Sequence, residues 1–267
     1  MSEHSAPALR SALPFAEQVR VVGSEQPFRW LAAGWRDFRA AGLVSLMHGL
    51  IFVLAGFALT YGLVAVGLTY LIAPLIAGFM LVGPALTVGF YAISRELEAG
   101  HAPRAADALG AWKANKAPLL GLGLMLVMFL VVWMRFAALI FAIFFPFAPL
   151  DVQALLNAAL FTRDGITFLI VGSIVGAGMA GIAFTLGAFS LPLLLDRRVG
   201  LLQALVISAV AVVVNARTMA VWAALIVVFT AAGLACAYVG LAVTLPLVGH
   251  ATWYAYRAVI RPEADQA

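Results

Sequence analysis

An all-α, polytopic membrane helical bundle with six transmembrane helices and both termini cytoplasmic is the fold this sequence predicts, from three observations. Hydrophobic residues make up 64% of the chain and charged ones 10%, with a mean hydropathy of +1.06, far outside soluble composition. The stretches free of Asp, Glu, Lys and Arg are long enough to cross ~30 Å of hydrocarbon. The basic residues gather on alternate connections, as the positive-inside rule requires. Soluble enzymes, nucleic-acid binders and disordered regulators are thereby excluded, since too few charges remain to cover a soluble core. The net charge of +4 reflects topology rather than a nucleic-acid partner. The single cysteine, Cys236, rules out an internal disulfide and a Cys-rich metal site.

Taken in chain order, residues 1–27 read as a disordered cytoplasmic tail without an apolar signal segment. Residues 28–39 read as an amphipathic helix on the cytoplasmic surface, with Phe28, Leu31, Trp35 and Phe38 on one side and Arg29, Arg36 and Asp37 on the other. The six-helix domain spans 40–260, and a cytoplasmic tail follows at 261–267. Residues 40–94 hold helices 1 and 2, turning between Tyr61 and Tyr70. Residues 117–150 hold helix 3, with Arg135 inside it and Pro146 and Pro149 ending it, and residues 165–195 hold helix 4. Residues 218–256 hold helices 5 and 6, turning between Ala237 and Gly240.

Charge fixes the orientation independently of hydropathy. Arg10, Arg20, Arg29, Arg36 and Arg39 precede helix 1; Arg95, Arg104, Lys113 and Lys116 follow helix 2; Arg197, Arg198 and Arg217 follow helix 4; Arg257 and Arg261 follow helix 6. Arg135 and Arg163 remain for the other face. Leu201 to Asn215 is apolar but short of a crossing, and spanning there would reverse the C-terminus against the charge bias, so it reads as interfacial or re-entrant. Helices 2 and 4 are each followed by a charged knot, a short segment ending in Asn, a basic residue soon after it and a further helix. That is the pattern of an internal parallel repeat, or else of two basic loops that resemble each other.

Few residues carry chemistry. His48 and His250 sit at similar depths inside helices 1 and 6, and two readings stay open: axial ligands of a b-type haem, or core histidines hydrogen-bonded between helices. Arg135 is either an arginine snorkelling to the headgroups or a buried anchor for an anion or for packing. No Asp or Glu lies inside a predicted span, which disfavours proton- or sodium-coupled transport. Gly172, Gly176 and Ala180 form a small-residue stripe suited to close helix packing. Pro74, Pro84, Pro192 and Pro246 mark kinks. There is no catalytic motif and no metal-ligating cluster.

The runs GWRDF, LVGPALTVGFYAISRELEAG, VWMRFAALIFAIFF, LPLLLDRRV and PLVGHATWYAYR together resemble the bacterial membrane-protein family called domain of unknown function 2189, over about residues 28–260. The resemblance implies membership without an activity, and some members are labelled cytochrome c oxidase subunits. Four histidines, His4, His48, His101 and His250, are too few for an oxidase core, so the resemblance at most implies an accessory subunit. It also marks His250, Arg135, Gly83 and Pro84 as candidate site residues. The expectation is a non-enzymatic protein of the bacterial inner membrane, an accessory or assembly partner of a larger membrane complex, with a respiratory oxidase as one candidate. The alternatives are an uncoupled carrier or channel for a lipid or small solute, and a haem-binding electron-transfer protein.

Overall fold

The structure, a computed structural model, describes residues 13–146 and 152–262. Its helices are α1 (Gln26–Ala41), α2 (Leu43–Ala65), α3 (Ile72–Leu86), α4 (Val88–Glu98), α5 (Ala105–Gly110), α6 (Lys116–Phe144), α7 (Val152–Phe161), α8 (Arg163–Gly187), α9 (Ser190–Asp196), α10 (Leu201–Val214), α11 (Ala216–Ala235) and α12 (Leu241–Val259). The chain is an all-α polytopic membrane bundle. Among the described residues five segments are long and apolar enough to cross a membrane: Leu43–Ala65, Thr69–Glu98, Lys116–Phe144, Arg163–Asp196 and Ala216–Ala235. Two of them are broken helices, α3 into α4 at Thr87 and α8 into α9 at Ala188 and Phe189.

The sixth expected crossing, α12, is not among these five. Its 19 residues reach ~28 Å, but it carries Thr244, His250, Thr252, Tyr254, Tyr256 and Arg257. Those polar groups are tolerated because α12 is enclosed by protein rather than lipid. It packs on α1, α2, α4 and α11, and Leu245, Gly249, His250, Ala251, Trp253 and Tyr256 are all buried. Glycines permit the close approach: a Cβ on Gly34 of α1 would lie 2.6 Å from the Ala251 backbone nitrogen, and one on Gly249 would lie 2.7 Å from Phe90 Cβ.

This packing corrects two expectations. α1 does not lie loose on the membrane surface; its stripe of Trp30, Gly34, Asp37 and Ala41 is buried against the bundle, and Phe28 and Trp35 point outward. Nor is the segment before it a disordered tail throughout 1–27. Val19 is fully buried and bridges Ile260, Arg20 N–H donates to Val259 C=O at 2.7 Å, and Val22 N–H donates to Asn215 Oδ1 at 2.8 Å. Residues 1–12 and 263–267 lie outside the described residues.

The segments with most of the basic residues come together at one end of the bundle. Arg95 donates to Leu195 C=O, Asn115 to Arg197 and Val199 C=O, Arg197 to Arg261 C=O, and Arg257 pairs with Glu98 at 3.0 Å. The two segments compared in the sequence, as a repeat or as similar basic loops, share an element order. Unit one is α3–α4, the short α5, Asn115 and α6; unit two is α8–α9, α10, Asn215 and α11, and each Asn precedes the first residue of the helix that follows it. α10 spans ~21 Å, too short to cross, and packs beneath the second broken helix.

Candidate functional site

Two polar features meet on α4 and α12. The first is a buried node that joins four helices. Ser94 of α4 donates to Asp37 Oδ2 of α1 at 2.7 Å and contacts His250 Nδ1 of α12 at 2.8 Å; His250 Nε2 contacts Ser45 of α2 at 2.8 Å; Tyr254 OH donates to Asp37 Oδ1 at 2.9 Å. Ser94 spends its only hydroxyl proton on Asp37, so it accepts from His250 Nδ1–H, and Nε2 then accepts from Ser45 O–H. The donors therefore run from Ser45 to His250 to Ser94, with the Asp37 carboxylate as terminal acceptor. Ser45, Ser94 and His250 are completely buried and Asp37 is 4% exposed. Burial holds the Asp37 carboxyl above its usual range, partly opposed by its hydrogen bonds to Ser94 and Tyr254 and by nearby Arg36.

Of the two open readings of the histidines, this geometry presents the core one. Both ring nitrogens of His250 are engaged, and the Phe90 ring sits edge-on to both imidazoles, with centroids 4.8 Å from His48 and 5.5 Å from His250. His48 is only partly buried and rests against Phe52 and Phe90. Among the described residues no group of His, Cys, Asp and Glu is arranged to hold a metal ion. Ser45, at the head of this chain of donors, is sealed beneath α12.

The second feature is a cavity of about 310 Å³ on the other side of the wall formed by α4 and α12. The first helix break contributes Gly83, Pro84, Thr87 and Tyr91, the second contributes Ala188, and Trp222 of α11 forms the far wall. Its polar groups are few: Thr87 Oγ1 donates to Pro84 C=O at 2.8 Å and lies 2.5 Å from Tyr91 OH, with Thr252 close by. At its rim Ala177 and Gly181 of α8 and Ala224 and Val227 of α11 are exposed, and α8 and α11 scarcely touch, so the cavity opens sideways between these two helices.

The remaining sequence candidates fall elsewhere. Arg135 is exposed on the outer surface of α6 beside Val131, Val132, Phe136 and Leu139, away from both features, as a snorkelling side chain would be. Two residues of the small-residue stripe face the interior: Gly176 meets the Trp133 ring, whose N–H donates to Pro74 C=O at 2.8 Å, and Ala180 lines the cavity. Gly172 and Gly83 have open space where a side chain would stand.

Asp37, Ser45, Ser94 and Tyr254 escaped the sequence reading. The only available signal was the Trp30, Gly34, Asp37, Ala41 stripe, which has correct helical spacing but little apolar character to reveal it.

Residues 71–196 match the model of the family described as "Predicted integral membrane protein (DUF2189)". The match runs from the start of α3 to the end of α9, narrower than the resemblance at 28–260. It takes in unit one, both helix breaks and Ser94 of the node, and leaves out Asp37, Ser45, His250 and Tyr254. No curated protein and no solved structure matches the chain.

Proposed function

We propose that the protein binds a lipid-like molecule within the membrane, as an uncoupled carrier or binding protein and not as an enzyme. The observation that carries this reading is the cavity that opens sideways between α8 and α11 and is lined by both helix breaks. A water-soluble ligand has no route through that rim, whereas an acyl or isoprenoid chain enters from the bilayer. Hydrocarbon is already apolar, so burial alone provides little affinity there. Selectivity then comes from shape and from the Thr87, Tyr91 and Thr252 hydroxyls, which suit one carbonyl or hydroxyl on an otherwise apolar molecule. Hydrogen bonds of this kind are worth about 1 kcal/mol in membranes.

The accessory-subunit reading needs a free packing face. Of the stripe expected to supply it, Gly176 is covered within the chain by Trp133 and Ala180 lines the cavity, which leaves only Gly172 open. A bacterial inner-membrane location with the basic end cytoplasmic is part of this proposal, and the charge bias supports that orientation. Single cysteines at Ser5 and Ala267, with Cys236 replaced, should then resist impermeant thiol reagents in intact cells.

Binding is tested with a diazirine-bearing fatty acid added to the purified protein. Crosslinks are expected on peptides containing Met80, Tyr91 or Trp222 and should be lost in Ala223→Trp, which fills the cavity. Labelling confined to outward residues such as Leu124 and Ile174, and unchanged in Ala223→Trp, would overturn the reading.

A further inference from the structure

α1 has two unlike faces. Its inner face is spent on α12, and its one acid, Asp37, is turned inward and fully hydrogen-bonded to Ser94 and Tyr254. The outer face carries Arg29, Arg36 and Arg39, all exposed, interleaved with the exposed rings of Phe28 and Trp35. Trp35 stacks on Phe38 at 5.4 Å, and Arg36 lies 5.8 Å from the Tyr254 ring, so the face is ordered rather than a set of loose side chains. The nearest exposed acid is Glu25, just before the first turn; Glu98 is engaged by Trp253 and Arg257.

Depth is set by the next element. Gly42, at φ +51°, bends the chain from α1 into α2, whose first residues Leu43, Leu46 and Met47 are exposed and apolar, as lipid-facing residues are. Arg39 thus stands one helical turn outside the hydrocarbon boundary, at the level of lipid phosphates. Aromatic rings prefer that same layer, and guanidinium groups pair with phosphate in bidentate geometry.

We propose that the outer face of α1 is a docking surface for anionic phospholipid headgroups, held by Arg29, Arg36 and Arg39 with Phe28 and Trp35 seated among the headgroups. It is separate from the cavity, which takes a chain rather than a headgroup.

The test uses the delipidated full-length protein in neutral detergent, titrated with dioctanoyl phosphatidylglycerol or with dioctanoyl phosphatidylcholine while thermal unfolding is followed. The acyl chains are identical, so any cavity binding contributes equally and the difference reports the headgroup. Phosphatidylglycerol is expected to bind more tightly by roughly fivefold per engaged arginine, an excess that shrinks in ~0.5 M salt. Arg29→Gln/Arg36→Gln/Arg39→Gln should abolish the excess, Lys at the same three positions should keep much of it, and Arg104→Gln should keep all of it. If the triple Gln variant does not fold, the single Gln variants should each lower the excess by part. No preference for phosphatidylglycerol in the wild type, a preference surviving in the Gln variants, or equal competition by glycerol phosphate would overturn the proposal.

Discussion

The two units share an element order but close their helix breaks differently. In unit two the break between α8 and α9 is sealed by α10: Ser208 donates to Thr185 C=O at 2.9 Å and accepts Phe189 N–H at 3.1 Å, and Ser190 donates to Ala204 C=O at 3.0 Å. Unit one has only α5 in the corresponding place, six residues against fourteen, and it stays at the basic end. The break at Thr87 must therefore satisfy itself through Pro84 C=O and Tyr91, and it faces the cavity. The length of one short helix decides whether a broken membrane helix becomes buried scaffold or the polar wall of a binding site.

Ser208→Ala should produce the largest loss among the changes that test this contrast. It orphans a buried N–H and a part-buried C=O at once, and unfolding in detergent should show a cost of about 2 kcal/mol. A change no greater than that of an exposed serine would mean that α10 does not seal the break. Asn215→Ala comes next, at about 1–2 kcal/mol, because Asn215 holds Arg20 C=O and Val22 N–H. Limited proteolysis should then cut between residues 13 and 25 faster than in wild type, and Asn115→Ala should not have this effect.

Thr87→Val should cost less than about 1 kcal/mol, since its hydroxyl bonds are local. It should nonetheless weaken photolabelling of the cavity severalfold. Equal stability losses in Thr87→Val and Ser208→Ala would erase the distinction between the units.

The smallest effect concerns the node. A carboxyl whose folded value is raised favours the folded state most below its unfolded value of 3.8, and that contribution disappears as pH rises through the raised value. Wild-type stability relative to Asp37→Asn should therefore decline as pH is raised from about 4 toward neutrality and then level off. A difference that grows with pH over that range would contradict the burial of Asp37.

Charge spacing made much of the architecture legible. Arg39 and Arg95 bracket α2 through the start of α4, Lys116 opens α6, and Arg217 lies just inside the start of α11, because charge is excluded from hydrocarbon and marks where it ends. The two Asn-terminated segments were readable as a repeat for a related reason: each must start a helix at the headgroup level. Burial within protein was not readable. α12 resembles any moderately apolar crossing until its neighbours are known, and the phase of α1 was misassigned because Phe28 and Trp35 outweigh Gly34 and Ala41 on any hydropathy scale. The node joins residues 37, 45, 94 and 250, a convergence that local periodicity does not encode. The cavity exists where side chains are small or absent, which composition cannot locate.

The most direct measurement is an experimental structure in lipid nanodiscs. Chain-like density should enter between α8 and α11, pass Trp222 and end with a polar group beside Tyr91 and Thr87, while the break beneath α10 stays closed and empty. A structure in which α8 packs directly on α11 and side chains fill the space below Thr87 would contradict the account.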